Sequence, residues 1–218
     1  MRLGILGGTF DPVHFGHLRL AEETREHLDL EQVFLVPGAL PPHKRQEPIT
    51  PFEYRLKMVE IAVKETPHLN VLDLEGQRLG YSYTIETLRE IHSKFRQLSH
   101  LFFIIGIDAF LEIKTWKDYK QLFQYAHFAV INRPGYSTQK LDFLIYSLGA
   151  GFEKTGDNTF KNQTGNLLMH MKTSLMDISS TRIRNLVEEG KSIRFLVPDP
   201  IIAYINEKGL YRINENIR

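Results

Sequence analysis

Residues 7–17 read GGTFDPVHFGH, and their types and spacing point to phosphate chemistry. His14 and His17 stand three positions apart, which places both imidazoles on one side of a helix start, where they can share a ligand. Gly7 and Gly8 form a strand exit without Cβ atoms, so the backbone itself can approach that ligand. Thr9 and the backbone N–H groups near Phe15 and Gly16 supply donors, and the positive end of the opening helix adds attraction for a triphosphate. A single histidine at a helix start is as often a cap or a satisfied interior residue. The pair, with a glycine between and a GGTF turn before, favours shared phosphate contacts. A dinucleotide fingerprint fails on spacing, because Ile5, Leu6 and Thr9 break the G-x-G-x-x-G offsets that Gly4, Gly7 and Gly8 would have to meet; hydride transfer is disfavoured.

Four other segments hold residues capable of chemistry. Lys44 closes PPHK, where two prolines stiffen the loop, although local sequence alone reads HKR as a solvated basic run. Ser179, Ser180, Thr181 and Arg182 begin an apparent helix; serines there are ordinarily caps, yet three hydroxyls and an arginine on a first turn also make a phosphate cradle. Gly106 and Asp108 follow the apolar run LFFII, where a carboxylate can accept ribose hydroxyls, cap the next helix, or do both with separate oxygens. GYSYT at 80–84 and the lone Trp116 come next, and by itself a lone tryptophan is more often core than ligand.

Taken together, GGTFDPVHFGH, PPHK, GYSYT, GIDAFLEIKTW (106–116) and DISSTRIR (177–184) resemble the bacterial nicotinate-nucleotide adenylyltransferases of the HxGH nucleotidyltransferase superfamily, over nearly the whole chain. The resemblance implies transfer of the adenylyl group of ATP to nicotinate mononucleotide, with release of pyrophosphate and formation of deamido-NAD. It assigns ATP binding to Gly7, Gly8, Thr9, Phe10, His14, His17, Gly106, Asp108, Ser179, Ser180 and Arg182. Within that set His17 takes the α-phosphoryl oxygen, His14 supports it, and Ser180 and Arg182 take the β- and γ-phosphates. Lys44 becomes a phosphate ligand and joins His14, His17 and Arg182 as catalytic. Tyr83, Thr84 and Trp116 enclose the nicotinate ring with Arg133 nearby, and Arg184 is left as a surface residue. Mg²⁺ arrives with the triphosphate, since the sequence offers no acidic cluster to hold it, and no protein metal site is expected. The alternatives are an adenylyltransferase of the same superfamily acting on nicotinamide mononucleotide or phosphopantetheine, a cytidylyltransferase, or a nucleotide-binding regulatory module without catalysis. Phosphopantetheine enzymes are shorter and lack the PPHK, GYSYT and Trp116 set. A module that only binds needs no transition-state phosphate clamp.

These residues need a frame. Strand-like runs at 3–6, 33–36, 69–73, 101–105 and 128–131 alternate with amphipathic stretches, which predicts an α/β fold: a Rossmann-like, doubly wound parallel sheet with helices on both faces. Thr50, Pro51 and Glu53 read as a capping box opening the helix of Phe52, Leu56, Val59, Ile61 and Val63; a second helix starts near Thr84 with Ile85, Leu88 and Ile91 on one face. Ligands of such sheets bind beyond the carboxyl ends of the strands, where the five segments converge. The 218 residues suit one domain (1–218), with a variable surface insertion of turns or a hairpin at 147–165 and a helical C-terminal portion from about 179. A composition of 42% hydrophobic and 24% charged residues is that of a globular protein, and a net charge of +1 argues against nucleic-acid or membrane partners. No cysteine means no disulfide, thiolate nucleophile or cysteine metal site; with no signal peptide or spanning segment, a cytoplasmic location is expected, and homo-oligomerisation stays open. The sequon at Asn162 reads as a polar loop.

Overall fold

The apolar runs form the strands that their β-branched and aromatic composition favours. In the computed structural model, which describes residues 1–42, 48–132, 138–174 and 176–212 (side chains of 138–140 excepted), these strands are β1 (Arg2–Gly8), β2 (Gln32–Pro37), β3 (Leu69–Val71), β4 (His100–Gly106) and β5 (His127–Ile131). Two short strands, β6 (Glu153–Gly156) and β7 (Thr159–Lys161), make a hairpin, and β8 (Leu167–Met171) follows. All eight join one sheet in the order β3-β2-β1-β4-β5-β8-β7-β6. Pairing is parallel from β3 across to β8 and antiparallel in the β8-β7-β6 edge.

Side chains alternate between the two faces, as a pleated strand requires. On one face Ile5, Phe103 and Val130 pack with Ile85, Leu88 and Ile91 of α3 (Thr84–Lys94), Phe110 of α4 (Ile107–Leu111), Phe123 of α5 (Tyr119–Tyr125) and Ile145 of α6 (Thr138–Ser147). On the other, Leu6, Leu35 and Ile104 pack with Ala21 of α1 (Phe15–His27), Met58 and Val59 of α2 (Phe52–Val63), Ile183 of α7 (Ser180–Glu188) and Ile201 of α8 (Asp199–Lys208). The expected doubly wound architecture is therefore present. Ile85, Leu88 and Ile91 are fully buried, each stabilising the docking of α3 by roughly 1.5–3 kcal/mol.

Gly4 is fixed by this packing: a Cβ there would stand 2.8 Å from Leu30 Cδ1 and 2.9 Å from Val33 Cγ2. The stretch 147–165 supplies the β6-β7 hairpin, whose Phe160 is buried in the core, so it is woven into the sheet. Asn162 lies in the turn that follows; it is buried, donates from Nδ2 to the Phe123 carbonyl at 2.8 Å and accepts the Asn166 N–H at 2.9 Å. It is a structural turn residue.

The capping box at 50–53 does not form. Pro51 stands at the N-cap of α2 with no side-chain cap bond, while the Thr50 N–H goes to Asp11 Oδ2 at 3.2 Å and the Thr50 carbonyl to Arg55 at 2.7 Å. Tertiary partners have outcompeted the local motif.

The chain winds from β1 outward to β2 and β3, then returns to β4 on the other side of β1 and continues to β5 and β8. The reversal leaves a crevice beyond the carboxyl ends of β1 and β4, the place where open α/β sheets bind ligands.

Candidate active site

A cavity of about 640 Å³ opens at this crevice. Gly7, Gly8 and Thr9 from the end of β1, Gly106 from the end of β4, and Tyr83, Thr84 and Trp116 all line it, so seven residues singled out from distant parts of the sequence meet in one space. The walls are largely apolar and aromatic: Trp116 stands edge-on to Phe103, their ring centroids 6.2 Å apart at 85°. Such a slot suits a planar ring with a few polar contacts. Thr84 opens α3 and Tyr83 caps it, so the segment offers hydroxyls beside a helix N-terminus.

The histidine pair sits one aromatic ring away. Phe10 lies so close to Gly8 that a Cβ on that glycine would stand 2.9 Å from its ring, and it meets the His17 ring edge-on at a centroid distance of 4.9 Å. His14 and His17 stack at 3.7 Å with 27° between their planes. Gly16 makes room for this arrangement, since a Cβ there would lie 3.0 Å from His14 Nδ1. One expected donor is lost, however: the Phe15 N–H is taken by the Leu196 carbonyl at 3.0 Å, because the loop before α8 packs against the start of α1.

The loop that carries this pair is held from three directions. Arg55, a fully buried cation on α2, donates to the carbonyls of Thr9 (2.7 Å), Gly38 (2.8 Å), Ala39 (3.1 Å) and Thr50 (2.7 Å). Burial lowers its pKa, opposed by the charge of Asp11 and other acids, and guanidinium basicity is high enough to keep the charge. From the C-terminal side, Tyr211 Oη donates to Asp11 Oδ1 at 2.7 Å and Arg184 to the Asp11 carbonyl at 2.8 Å. Burial and the Asp11 carboxylate push the Tyr211 hydroxyl far above its usual pKa, so it remains a donor. Arg184 is therefore a tether of the loop and not a surface residue.

Helix α7 completes the neighbourhood. Ser179 is its N-cap and accepts the Arg182 N–H at 3.2 Å, the ordinary role of a serine there. Ser180 Oγ donates to the Pro12 carbonyl at 2.9 Å, which binds the helix start to the histidine loop and commits the hydroxyl proton. The Arg182 side chain is exposed on the first turn. Asp108 is exposed on the first turn of α4, where Gly106 and not Asp108 occupies the N-cap position. Lys44 and Arg133 lie outside the described residues.

Four functional contributors escape a reading of the sequence. Arg55 looks like a solvated charge on an amphipathic helix, and Asp11 and Tyr211 are two hundred positions apart. Glu75 is the fourth: it lines the cavity, nearly buried, and accepts from Thr87 Oγ1 at 2.6 Å. Burial raises its pKa, against hydrogen bonds from Thr87 and Ser82. No local pattern marks any of them.

Comparison with known proteins places this geometry among relatives. Residues 5–186 match the model of the cytidylyltransferase-like family. A protein named as a probable nicotinate-nucleotide adenylyltransferase from Geotalea daltonii is 42% identical, the match covering 97% of this chain and 98% of that protein. A protein of the same name from Desulfitobacterium hafniense is 41% identical over 97% of this chain and 96% of its own. Among solved structures, the Plasmodium falciparum nicotinic acid mononucleotide adenylyltransferase complexed with NaAD superposes with a TM-score of 0.74 at 17% identity, covering 96% of this chain and 97% of that one, which speaks to the fold.

Proposed function

This chain belongs to the cytidylyltransferase-like family and, within it, to the nicotinate-nucleotide adenylyltransferases, and from that premise we propose that it transfers the adenylyl group of ATP to nicotinate mononucleotide, giving deamido-NAD and pyrophosphate. The observation that supports this best is the meeting of Tyr83, Thr84 and Trp116 with the Gly7–Thr9 turn in one cavity, a single phenylalanine ring from the stacked histidines. In this reading the pyridine ring lies against Trp116, the Thr84 hydroxyl and the α3 N-terminus meet its carboxylate, and the nucleotide phosphate points toward His14 and His17. An attacking phosphate oxygen then needs only alignment with the α-phosphorus and charge stabilisation, with no protein nucleophile. His17 is assigned the α-phosphoryl oxygen and His14 a supporting place. Gly106 and Asp108 are assigned the ribose, and Ser179, Ser180 and Arg182 at the start of α7 the outer phosphates.

Since the Ser180 proton is engaged by Pro12, a direct phosphate contact from that hydroxyl would require an exchange of partners; the neighbouring N–H groups and Arg182 are the readier donors. Lys44 is assigned to the phosphates and Arg133 to the pyridine side. Among the described residues no cluster of three or more His, Asp or Glu side chains is placed to cage a metal; Mg²⁺ is proposed to come with the triphosphate, whose oxygens would hold it and whose charge it would neutralise. Among the described residues no helix is long and apolar enough to cross a membrane; a cytoplasmic site of action is part of the proposal, in keeping with a chain free of cysteine.

The test is pyrophosphate release from ATP and Mg²⁺ with nicotinate mononucleotide, nicotinamide mononucleotide or phosphopantetheine offered separately. The acid mononucleotide should be used best, and His17→Ala should lower kcat by on the order of a hundredfold. Preference for phosphopantetheine, or full turnover without His17, would sink the assignment.

A further inference from the structure

The cavity wall contains a charge that the motifs do not account for. Lys117 follows Trp116 directly, and among the described residues it is the only Lys, Arg or His lining the cavity. Its ammonium lies 4.4 Å above the ring of Tyr83, itself a wall of the same cavity, and donates to Glu86 Oε1 at 2.6 Å. Glu86 is not left alone if that bond breaks, because Arg78 Nη1 stands 3.9 Å from its other oxygen. The lysine side chain is 42% exposed, so a small swing about its flexible stem costs little desolvation. Lys117 is thus a cation held at the mouth of the aromatic slot by a carboxylate that has a second cation at hand.

We propose that Lys117 is a specificity-determining residue: on binding, the ring carboxylate of the pyridine nucleotide displaces Glu86 as its partner, and this exchange favours the acid over the amide. The proposal rests on the reading of the cavity as the pyridine pocket. A carboxylate replaces like with like, keeping a charge-assisted hydrogen bond for Lys117 while Glu86 turns to Arg78. A carboxamide carries no charge, so it cannot replace Glu86 without loss, and its NH₂ group sets a donor against donors. The Glu86 hydrogen bond raises the lysine pKa, which keeps the ammonium charged throughout the neutral range.

The experiment compares kcat/KM for nicotinate and nicotinamide mononucleotides, with the acid-to-amide ratio as readout, in the wild type and in Lys117→Met, Lys117→Arg and Glu86→Gln. The ratio should fall about tenfold in Lys117→Met, the scale of one hydrogen bond to a charged group. It should recover in Lys117→Arg, and Glu86→Gln should tighten nicotinate mononucleotide binding by calorimetry, since the competing carboxylate is gone. Because the ratio is taken within one preparation, partial misfolding cancels. An acid preference that survives Lys117→Met unchanged would overturn the proposal alone; a wild type inactive on both nucleotides would overturn the pocket assignment with it.

Discussion

Arg55 and Thr9 are joined by a 2.7 Å bond from guanidinium to carbonyl, and through it the turn that leaves β1 is fastened to α2, fifteen residues beyond the end of β2 by sequence but adjacent to it in space. The same guanidinium holds the Gly38 and Ala39 carbonyls, so the two loops flanking the cavity share one donor. A lysine has one ammonium and cannot span both loops. Arg55→Lys should therefore destabilise the fold by about 2–5 kcal/mol, the scale of leaving buried polar groups unpaired. Urea unfolding measures this; a change below about 0.5 kcal/mol would mean that water or the loops themselves make good the loss.

Gly16 separates stability from activity. Alanine is the better helix former by roughly 0.5–1 kcal/mol, yet its Cβ would press on His14 Nδ1 at 3.0 Å and disturb the stack with His17. Gly16→Ala should melt within a few degrees of the wild type while losing roughly tenfold to a hundredfold in kcat/KM, as a displaced catalytic group does. Full activity would show that the stacked arrangement is dispensable.

Trp116 is the only tryptophan, and it lines the cavity with Thr84. Titration with nicotinate mononucleotide should quench or shift its emission. Thr84→Val keeps the side-chain shape without the hydroxyl, so the same titration should show binding weaker by about 1–3 kcal/mol with ATP affinity nearly unchanged. A tryptophan that answers only to ATP would move the pyridine pocket elsewhere.

His127 links stability to pH at the opposite end of the sheet. Its Nδ1 accepts the Leu167 N–H at 2.8 Å, and burial, with the nearby charges of His100 and Arg2, lowers its pKa from 6.5 to about 4. Between those values the unfolded chain binds a proton that the native protein refuses, so stability is full above pH 6.5 and falls as the pH drops toward 4. The loss amounts to about 3 kcal/mol. His127→Asn retains an acceptor for Leu167 but does not titrate; the difference between its urea midpoint and that of the wild type should depend on pH across this window and level off above it. Parallel curves would assign the acid sensitivity to other groups.

Much of this was legible in the sequence because the signals are local. The strand runs, the α3 stripe of Ile85, Leu88 and Ile91, and the glycine-rich exit before His14 each follow from the side-chain period of a strand or helix, or from backbone freedom within a dozen residues. That Gly7–Thr9, Tyr83, Thr84, Trp116 and Gly106 meet was legible too, since a doubly wound sheet gathers the ends of its strands. The tertiary structure alone decided the rest. Thr50 forsakes its capping box for Asp11 and Arg55, and Ser180 gives its proton to Pro12. Arg184 turns inward to Asp11 and Lys117 comes to rest over Tyr83. In each case a polar group had several chemically equivalent partners within reach of its side chain. Only the packing of distant segments, which removes water from some of those partners and brings others within 3 Å or so, selects among them.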